Sequence, residues 1–313
     1  MRSLRSGTLL ALLLCLVVSA FLIPRGAPAQ QTKEVSITVD DLPRHGDLPP
    51  GMTRLDIAKS IIVTLRAKGV PPVYGFVNAK RAEGDATKDD VLQAWVDSEN
   101  LLGNHTHDHM DLTANTAEQF EANISANEPV LQGLMGPKNW HWFRYPFLHE
   151  GDTLEKRRAV RRYLAERGYR VAQVTLDFED YAWNNPYARC AAKQDAASIA
   201  WLKSSYLQTA TEYTDLGEKL AEEVYGRPIK HVLLLHIGAF DSIMLPDLLD
   251  LLGKQGFRFV TLEEAESDPA YQKDPDAALK YGGTLLEQFM DGEHQKYPPH
   301  ADKPMDKLNS ICR

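Results

Sequence analysis

Cysteine is scarce, with only Cys15, Cys190 and Cys312 in 313 residues. Spread this widely, they exclude a zinc site of the clustered-thiolate kind. Positive charge is in short supply too. Lys and Arg number 35 against 43 Asp and Glu, for a net charge of −8. A phosphate-backbone partner calls for a basic face, so nucleic acid is not the expected ligand. The one long apolar run, Thr8 to Ile23, is short of the roughly 20 residues of a spanning helix. No internal repeat or linker interrupts residues 34–266.

That apolar run follows Arg2 and Arg5 and is followed by Ala27-Pro28-Ala29. A basic start, an apolar stretch and a small-x-small site form an export signal over residues 1–29. A membrane association is expected only if this segment stays uncleaved. Cys15 lacks small residues before it and is no lipidation site. The expected location is outside the cytoplasm, periplasmic or secreted, where Cys190 and Cys312 are free to pair.

With 43% hydrophobic and 25% charged residues, the remainder has the composition of an ordinary globular protein. Strand-like runs at Val35–Val39, Val73–Val77, Leu101–Gly103, Trp142–Arg144, Arg170–Thr175, His231–Leu235 and Arg258–Val260 alternate with segments of helical length. Helix starts are marked by capping-box spacing at Thr87/Asp90, Thr116/Gln119, Asp152/Glu155 and Thr261/Glu264. A helix over Leu55–Lys68 is expected to end at Gly69. Strand–helix alternation implies parallel strands, and about seven units favour an α/β fold of the distorted parallel (β/α) barrel type. The barrel is expected over residues 34–266. Residues 267–313 read as a C-terminal appendage with one short helix near Leu285–Met290.

The polar residues keep a common phase. Asp40-Asp41 follows the first strand, His105 and His109 the third; Arg144 ends the fourth, Asp177 follows the fifth, and His236 the sixth. All stand at carboxyl ends, the rim where parallel barrels build their sites. Each alone has an ordinary reading: a turn for the Asp pair, a core histidine for His236, a rigid strand exit for Arg144-Tyr145-Pro146. Their joint placement is what points to chemistry. His105 and His109, four apart, can reach one ion.

These segments resemble the five motifs of the polysaccharide deacetylases of carbohydrate esterase family four, the nodulation-type deacetylase homology domain. Ser36-Ile37-Thr38-Val39-Asp40-Asp41 is similar to the first, His105-Thr106-His107-Asp108-His109 to the second, and Arg144-Tyr145-Pro146-Phe147 to the third. Asp177-Phe178-Glu179-Asp180-Tyr181 resembles the fourth and Leu234-Leu235-His236 the fifth, all in family order. The resemblance implies Asp40 as catalytic base and Asp41, His105 and His109 as ligands of one divalent ion. Zinc is the default, with cobalt or nickel compatible. It further implies that Arg144, paired with Asp177, holds the base, that the Tyr145 N–H steadies the oxyanion, that Tyr181 lines the acyl pocket, and that His236 is the general acid. The implied activity is hydrolysis of an acetamide on a carbohydrate. Leu42-Pro43, where the family carries Gly after the Asp pair, and Tyr181, where Trp is commoner, keep other readings open. An O-acetyl esterase, a small-amide amidohydrolase and a non-catalytic carbohydrate-binding protein all remain. Asp241 and Trp140-His141-Trp142 have no role in this reading.

Overall fold

Seven short strands made of the apolar runs build one parallel sheet in the computed structural model, which describes residues 33–82 and 88–313. The expected signal segment 1–29 and the Thr87 cap lie outside the described residues. In chain order the strands are β1 (Lys33–Leu42), β2 (Tyr74–Val77), β3 (Leu101–Asn104), β4 (Trp142–Phe143), β5 (Arg170–Val171), β6 (His231–His236) and β7 (Phe257–Phe259). They lie in the order β5-β4-β3-β2-β1-β6, with β7 also on β1. The helices are α1 (Arg54–Ala67), α2 (Lys88–Asp97), α3 (Ala117–Met135), α4 (Leu154–Glu166), α5 (Asn184–Ala192), α6 (Ala196–Tyr225), α7 (Ala239–Lys254), α8 (Leu262–Ala265), α9 (Leu285–Gly292) and α10 (Met305–Ser310). The fold is a distorted α/β barrel.

The sheet is closed by the chain that follows β5. Expected as one strand to Thr175, this run breaks after Val171. The Gln173 N–H is taken by the buried Glu266 carboxylate at 2.6 Å, which interrupts the ladder with β4. Two residues on, the Thr175 and Leu176 N–H groups donate to Val232, and Leu176 bridges Leu233 of β6. One stretch of chain thus pairs first with one edge of the sheet and then with the other.

Alternation along β1 divides its side chains. Val35, Ile37 and Val39 join the outer core beneath the helices, whereas Thr38 and Asp40 take the other parity. The barrel interior holds Tyr74, Phe76, Trp142 and Val232, with Leu262 and Ala265 of α8 against them. Trp142, unassigned in the sequence, is part of this filling and donates to Glu263 at 3.2 Å.

Capping follows the expected chemistry with two changes. Thr116 and Gln119 form the full reciprocal box, and Thr261 accepts from the Glu264 N–H. At α4 the cap is Thr153, whose hydroxyl accepts from Lys156 N, while Asp152 pairs with the Lys156 ammonium at 3.0 Å. At α1 an unforeseen box joins Thr53 and Asp56.

Residues after Glu266 cross to the carboxyl rim. Leu285, Leu286 and Met290 bury the apolar side of α9, and Arg189 holds the carbonyls of Leu308 and Ile311. Cys312 is disulfide-bonded to Cys190 of α5. No helix among the described residues is long and apolar enough to cross a membrane.

Candidate active site

The carboxyl ends of the strands converge on a cavity of about 540 Å³ lined by Asp40, Asp41, His105, His109, Tyr145, Asp177, Tyr181 and His236. Five of its lining residues, Asp41, His109, Phe147, Leu148 and Glu179, adopt positive φ without being glycine. Backbone strain of this kind concentrates where side chains must be aimed. At Asp41 (φ 67°) an irregularity near the end of β1 lets adjacent carboxylates serve different partners.

Asp40 stands opposite His236 in the β1–β6 register. Its carboxylate is 3.2 Å from Nη1 of Arg144. The buried guanidinium is otherwise held by the Ala172 carbonyl at 2.7 Å and the Thr38 hydroxyl at 3.1 Å, and packs on Phe76. Burial pushes Asp40 up to about 6, against the opposing pull of Arg144. It is therefore a carboxylate at neutral pH, yet basic enough to take a proton.

Asp41 is built differently. Its Oδ2 accepts from Arg81 at 2.6 Å and from His45 Nδ1 at 2.7 Å. Burial alone would raise its pKa, but the His45 hydrogen bond and the charges nearby hold it well below the usual carboxylate range. The other oxygen, Oδ1, is buried and has no hydrogen-bond partner. Facing it are the Nε2 atoms of His109 at 3.4 Å and His105 at 3.7 Å. His105 donates Nδ1–H to the Arg144 carbonyl at 2.8 Å, because a carbonyl only accepts. That fixes the tautomer and leaves Nε2 with a bare lone pair. Burial keeps both imidazoles neutral, His105 well below its ordinary value and His109 at about 4. One unpaired carboxylate oxygen and two neutral, pre-aimed nitrogens form an Asp–His–His cluster suited to a divalent cation. Asp41, His45 and His236 also lie close together, but Arg81 already sits on the Asp41 oxygen that His45 binds, so a second ion there would face a fixed positive charge.

His236 is held by a residue that the sequence reading passed over. Asp180 accepts from its ring Nδ1 at 2.8 Å and from its backbone N–H at 2.7 Å. Burial disfavours the imidazolium, but the Asp180 charge and hydrogen bond outweigh that and raise His236 to about 10. Behind Asp180 lies Asp241, bound by Asn184 at 2.8 Å and Tyr206 at 2.9 Å and kept far above its ordinary pKa by burial and the Asp180 charge. Asn184 can approach this closely because residue 238 is Gly, whose absent Cβ would overlap the amide.

The expected Arg144–Asp177 pair is not formed. Arg144 turns to Asp40, Thr38 and Ala172, while Asp177 accepts from the Glu179 N–H at 2.7 Å and is raised to about 6 by burial. Glu179, at φ 58°, turns the chain between the two acids, so Asp180 rather than Asp177 hydrogen-bonds His236 at the end of β6. Tyr181 is 39% exposed at the mouth, its ring 5.3 Å from that of His236. Besides Asp180, sequence reasoning missed His45 and Arg81. His45 had a signal, four residues beyond Asp41; Arg81 reaches Asp41 from the turn that follows β2 and had none.

The model of the polysaccharide deacetylase family matches residues 27–186, just over half of the chain. The chain belongs to the polysaccharide deacetylase family. It is 21% identical over 196 residues to a chitin deacetylase of Arthroderma benhamiae, a match covering 62% of this chain and 44% of that protein. The chain therefore spans less than half of this curated relative. Among solved structures it is similar to the chitin deacetylase of Colletotrichum lindemuthianum, at 19% identity and a TM-score of 0.51 over 75% of this chain and 88% of the other. It is equally similar to a carbohydrate esterase family four pseudoenzyme of Bacillus anthracis, at 14% identity and a TM-score of 0.51 over 75% and 66%. The fold is thus shared by a deacetylase and a pseudoenzyme, and the argument for activity passes to the side chains.

Proposed function

We propose that this protein is a divalent-metal-dependent hydrolase that removes the acetyl group from N-acetylated carbohydrate. The observation that carries the reading is the lone Oδ1 of Asp41, buried and unpartnered, which faces Nε2 of His105 and of His109 so that one cation could be shared by all three. Asp41, His105 and His109 would hold the ion, and zinc suits this donor set, with cobalt and nickel close behind. When bound, such an ion supplies Lewis acidity, acidifying water and polarising an acyl carbonyl.

The chain's own residues divide the remaining work. Asp40 accepts the proton of the attacking water, and Arg144 fixes the carboxylate that does so. The Tyr145 N–H is the donor assigned to the oxyanion, and Tyr181 closes the acyl pocket. His236, charged at neutral pH, delivers a proton to the departing nitrogen. This last feature favours an amide over an O-acetyl ester, since an amine leaves poorly unless protonated. A positioned acid or base of this kind is worth roughly 10²–10⁴-fold.

Export is part of the proposal. The basic-apolar-small start of the sequence and the Cys190–Cys312 bridge both suit an oxidising compartment. The test is acetate release from a panel of N-acetylated and O-acetylated oligosaccharides by protein stripped with chelator and reloaded with zinc. Release from the N-acetylated members only after reloading supports the reading; release by metal-free protein contradicts it.

A further inference from the structure

The exposed Phe, Tyr and Trp side chains among the described residues are three, Phe147 at 55%, Tyr181 at 39% and Tyr281 at 69%. All three line the cavity of the active site. Exposed aromatics scattered singly over a surface are ordinary, but their gathering at one mouth marks a place where something is bound. Tyr181 stands beside His236 and already has a part in the chemistry. Phe147 and Tyr281 have none.

A row of rings leads away from the ligand cluster to these two. Phe147 packs edge-on against His109 with centroids 4.4 Å apart, His149 follows at 5.5 Å, and Tyr281 stands 6.4 Å beyond His149. Tyr281 comes from the segment after Glu266, outside the residues 27–186 that match the family model. Its chain neighbours set its place. The Leu279 N–H donates to the Gly151 carbonyl at 3.2 Å, and the Lys280 carbonyl accepts from the Thr113 hydroxyl at 3.4 Å. Further on, the Leu285 N–H donates to the Val174 carbonyl at 2.7 Å. Residue 282 is Gly where a Cβ would overlap the Leu148 carbonyl. The backbone is thus held on both sides of Tyr281 while the ring stays in solvent. The Lys280 ammonium lies 5.1 Å from the ring centroid and covers no more than one face. An exposed ring on a fixed backbone is organised in advance for stacking.

The surroundings set what stacks there. One face of a pyranose ring carries C–H groups, which are drawn to the negative face of an aromatic ring; its edge carries hydroxyls. Glu287 and Asp291 line the same cavity. They accept from the Thr284 N–H at 2.7 Å and the Tyr297 hydroxyl at 2.9 Å, and a carboxylate has lone pairs left over for further donors. Bare aromatic faces beside hydroxyl acceptors suit a sugar better than a wholly apolar guest.

Resting on the deacetylase reading, we propose that Phe147 and Tyr281 form a stacking subsite for the sugar ring next to the one that loses its acetyl group. The substrate is then an oligosaccharide or a longer chain, not a single acetamido sugar. The C-terminal segment, through Tyr281, selects it by length.

The test measures binding of N-acetylglucosamine and of N-acetylchitotetraose by calorimetry. The full chain is loaded with zinc and carries Asp40→Asn, so that turnover adds no heat. The tetrasaccharide should bind more tightly than the monosaccharide. Tyr281→Ala should lower the tetrasaccharide affinity about tenfold, the order expected of one stacked ring, and leave the monosaccharide affinity unchanged. Tyr281→Phe keeps the ring and should keep the affinity. Tyr281 is exposed, and melting temperature checks that each variant folds. Equal affinities for the two sugars, or no measurable affinity for either, would overturn the subsite. So would a tetrasaccharide affinity indifferent to Tyr281→Ala, or a Phe variant as weak as the Ala one. Acetate release is scored separately, in chains that keep Asp40. Tyr281-dependent binding with no acetate from either sugar leaves the subsite standing and removes the deacetylase. Acetate from the tetrasaccharide with kcat/KM unmoved by Tyr281→Ala does the reverse.

Discussion

Asp180 grips His236 at two points, accepting from the ring Nδ1 at 2.8 Å and the backbone N–H at 2.7 Å. The imidazole is thereby fixed in direction as well as in charge. Asp180 is the largest influence raising His236, which stands at about 10. Asp180→Asn removes a raising influence, so the pKa of His236 should fall. If His236 is the acid that must carry a proton, the alkaline limb of the kcat/KM profile should move to lower pH. An unmoved limb in a folded, metal-loaded variant would remove His236 from that role.

Arg144 acts with the opposite sign on the other group. Its charge lowers the pKa of Asp40 against the effect of burial. Arg144→Met keeps much of the volume and takes away the charge, so the carboxylate becomes harder to ionise. The acidic limb of kcat/KM should shift to higher pH, and the rate at the optimum should fall because the base loses its anchor. A fall in rate with no shift would mean that Arg144 supports the fold without tuning the base.

The strands and their polar ends were legible because both obey local rules. Short apolar runs between helical segments specify parallel pairing, and Asp40, His105, Arg144 and His236 each sit at or just past the carboxyl end of such a run. What was hidden depends on dihedrals and long-range contacts. Whether Asp177 or Asp180 faces His236 turns on the left-handed conformation of Glu179, which no composition rule announces. The break in the Arg170–Thr175 run is caused by Glu266, more than 90 residues away in sequence. Arg81 likewise meets Asp41 only once β1 and β2 are side by side. Asp152 was the expected cap of α4, but the Thr153 hydroxyl takes that place and the Asp152 carboxylate pairs with Lys156.

The C-terminal segment offers a prediction about stability. The Cys190–Cys312 bridge closes a sequence separation of 122 residues, and such cross-links commonly contribute about 2–4 kcal/mol. Cys312→Ser should lower the urea midpoint accordingly, and reductant should lower the wild type to the same level. Lys303, bound to Glu179 at 2.8 Å on the cavity wall, ties this segment to the site, so KM should rise along with the loss of stability. A variant as stable as the oxidised wild type would show that the bridge does not hold this segment down.

His45 should matter to the metal without binding it. Its Nδ1–H and Arg81 occupy Oδ2 of Asp41 and leave Oδ1 as the free ligand atom. His45→Ala should weaken zinc affinity by roughly 10–100-fold, the usual effect of losing a partner behind a ligand, with the ion still bound at saturating zinc. Equilibrium dialysis reads this directly; complete loss of binding would make His45 a ligand, and no change would make it a bystander.

The separation of roles within the Asp pair is the centre of the account, and one paired measurement tests it. Zinc content by elemental analysis and acetate release from an N-acetylated oligosaccharide are determined together on Asp40→Asn and Asp41→Asn. Asp40→Asn should keep close to one zinc per chain and lose about 10²–10⁴ in kcat, because its amide cannot take the proton. Asp41→Asn should lose the zinc itself. A metal-free Asp40→Asn beside a zinc-loaded Asp41→Asn would contradict the assignment.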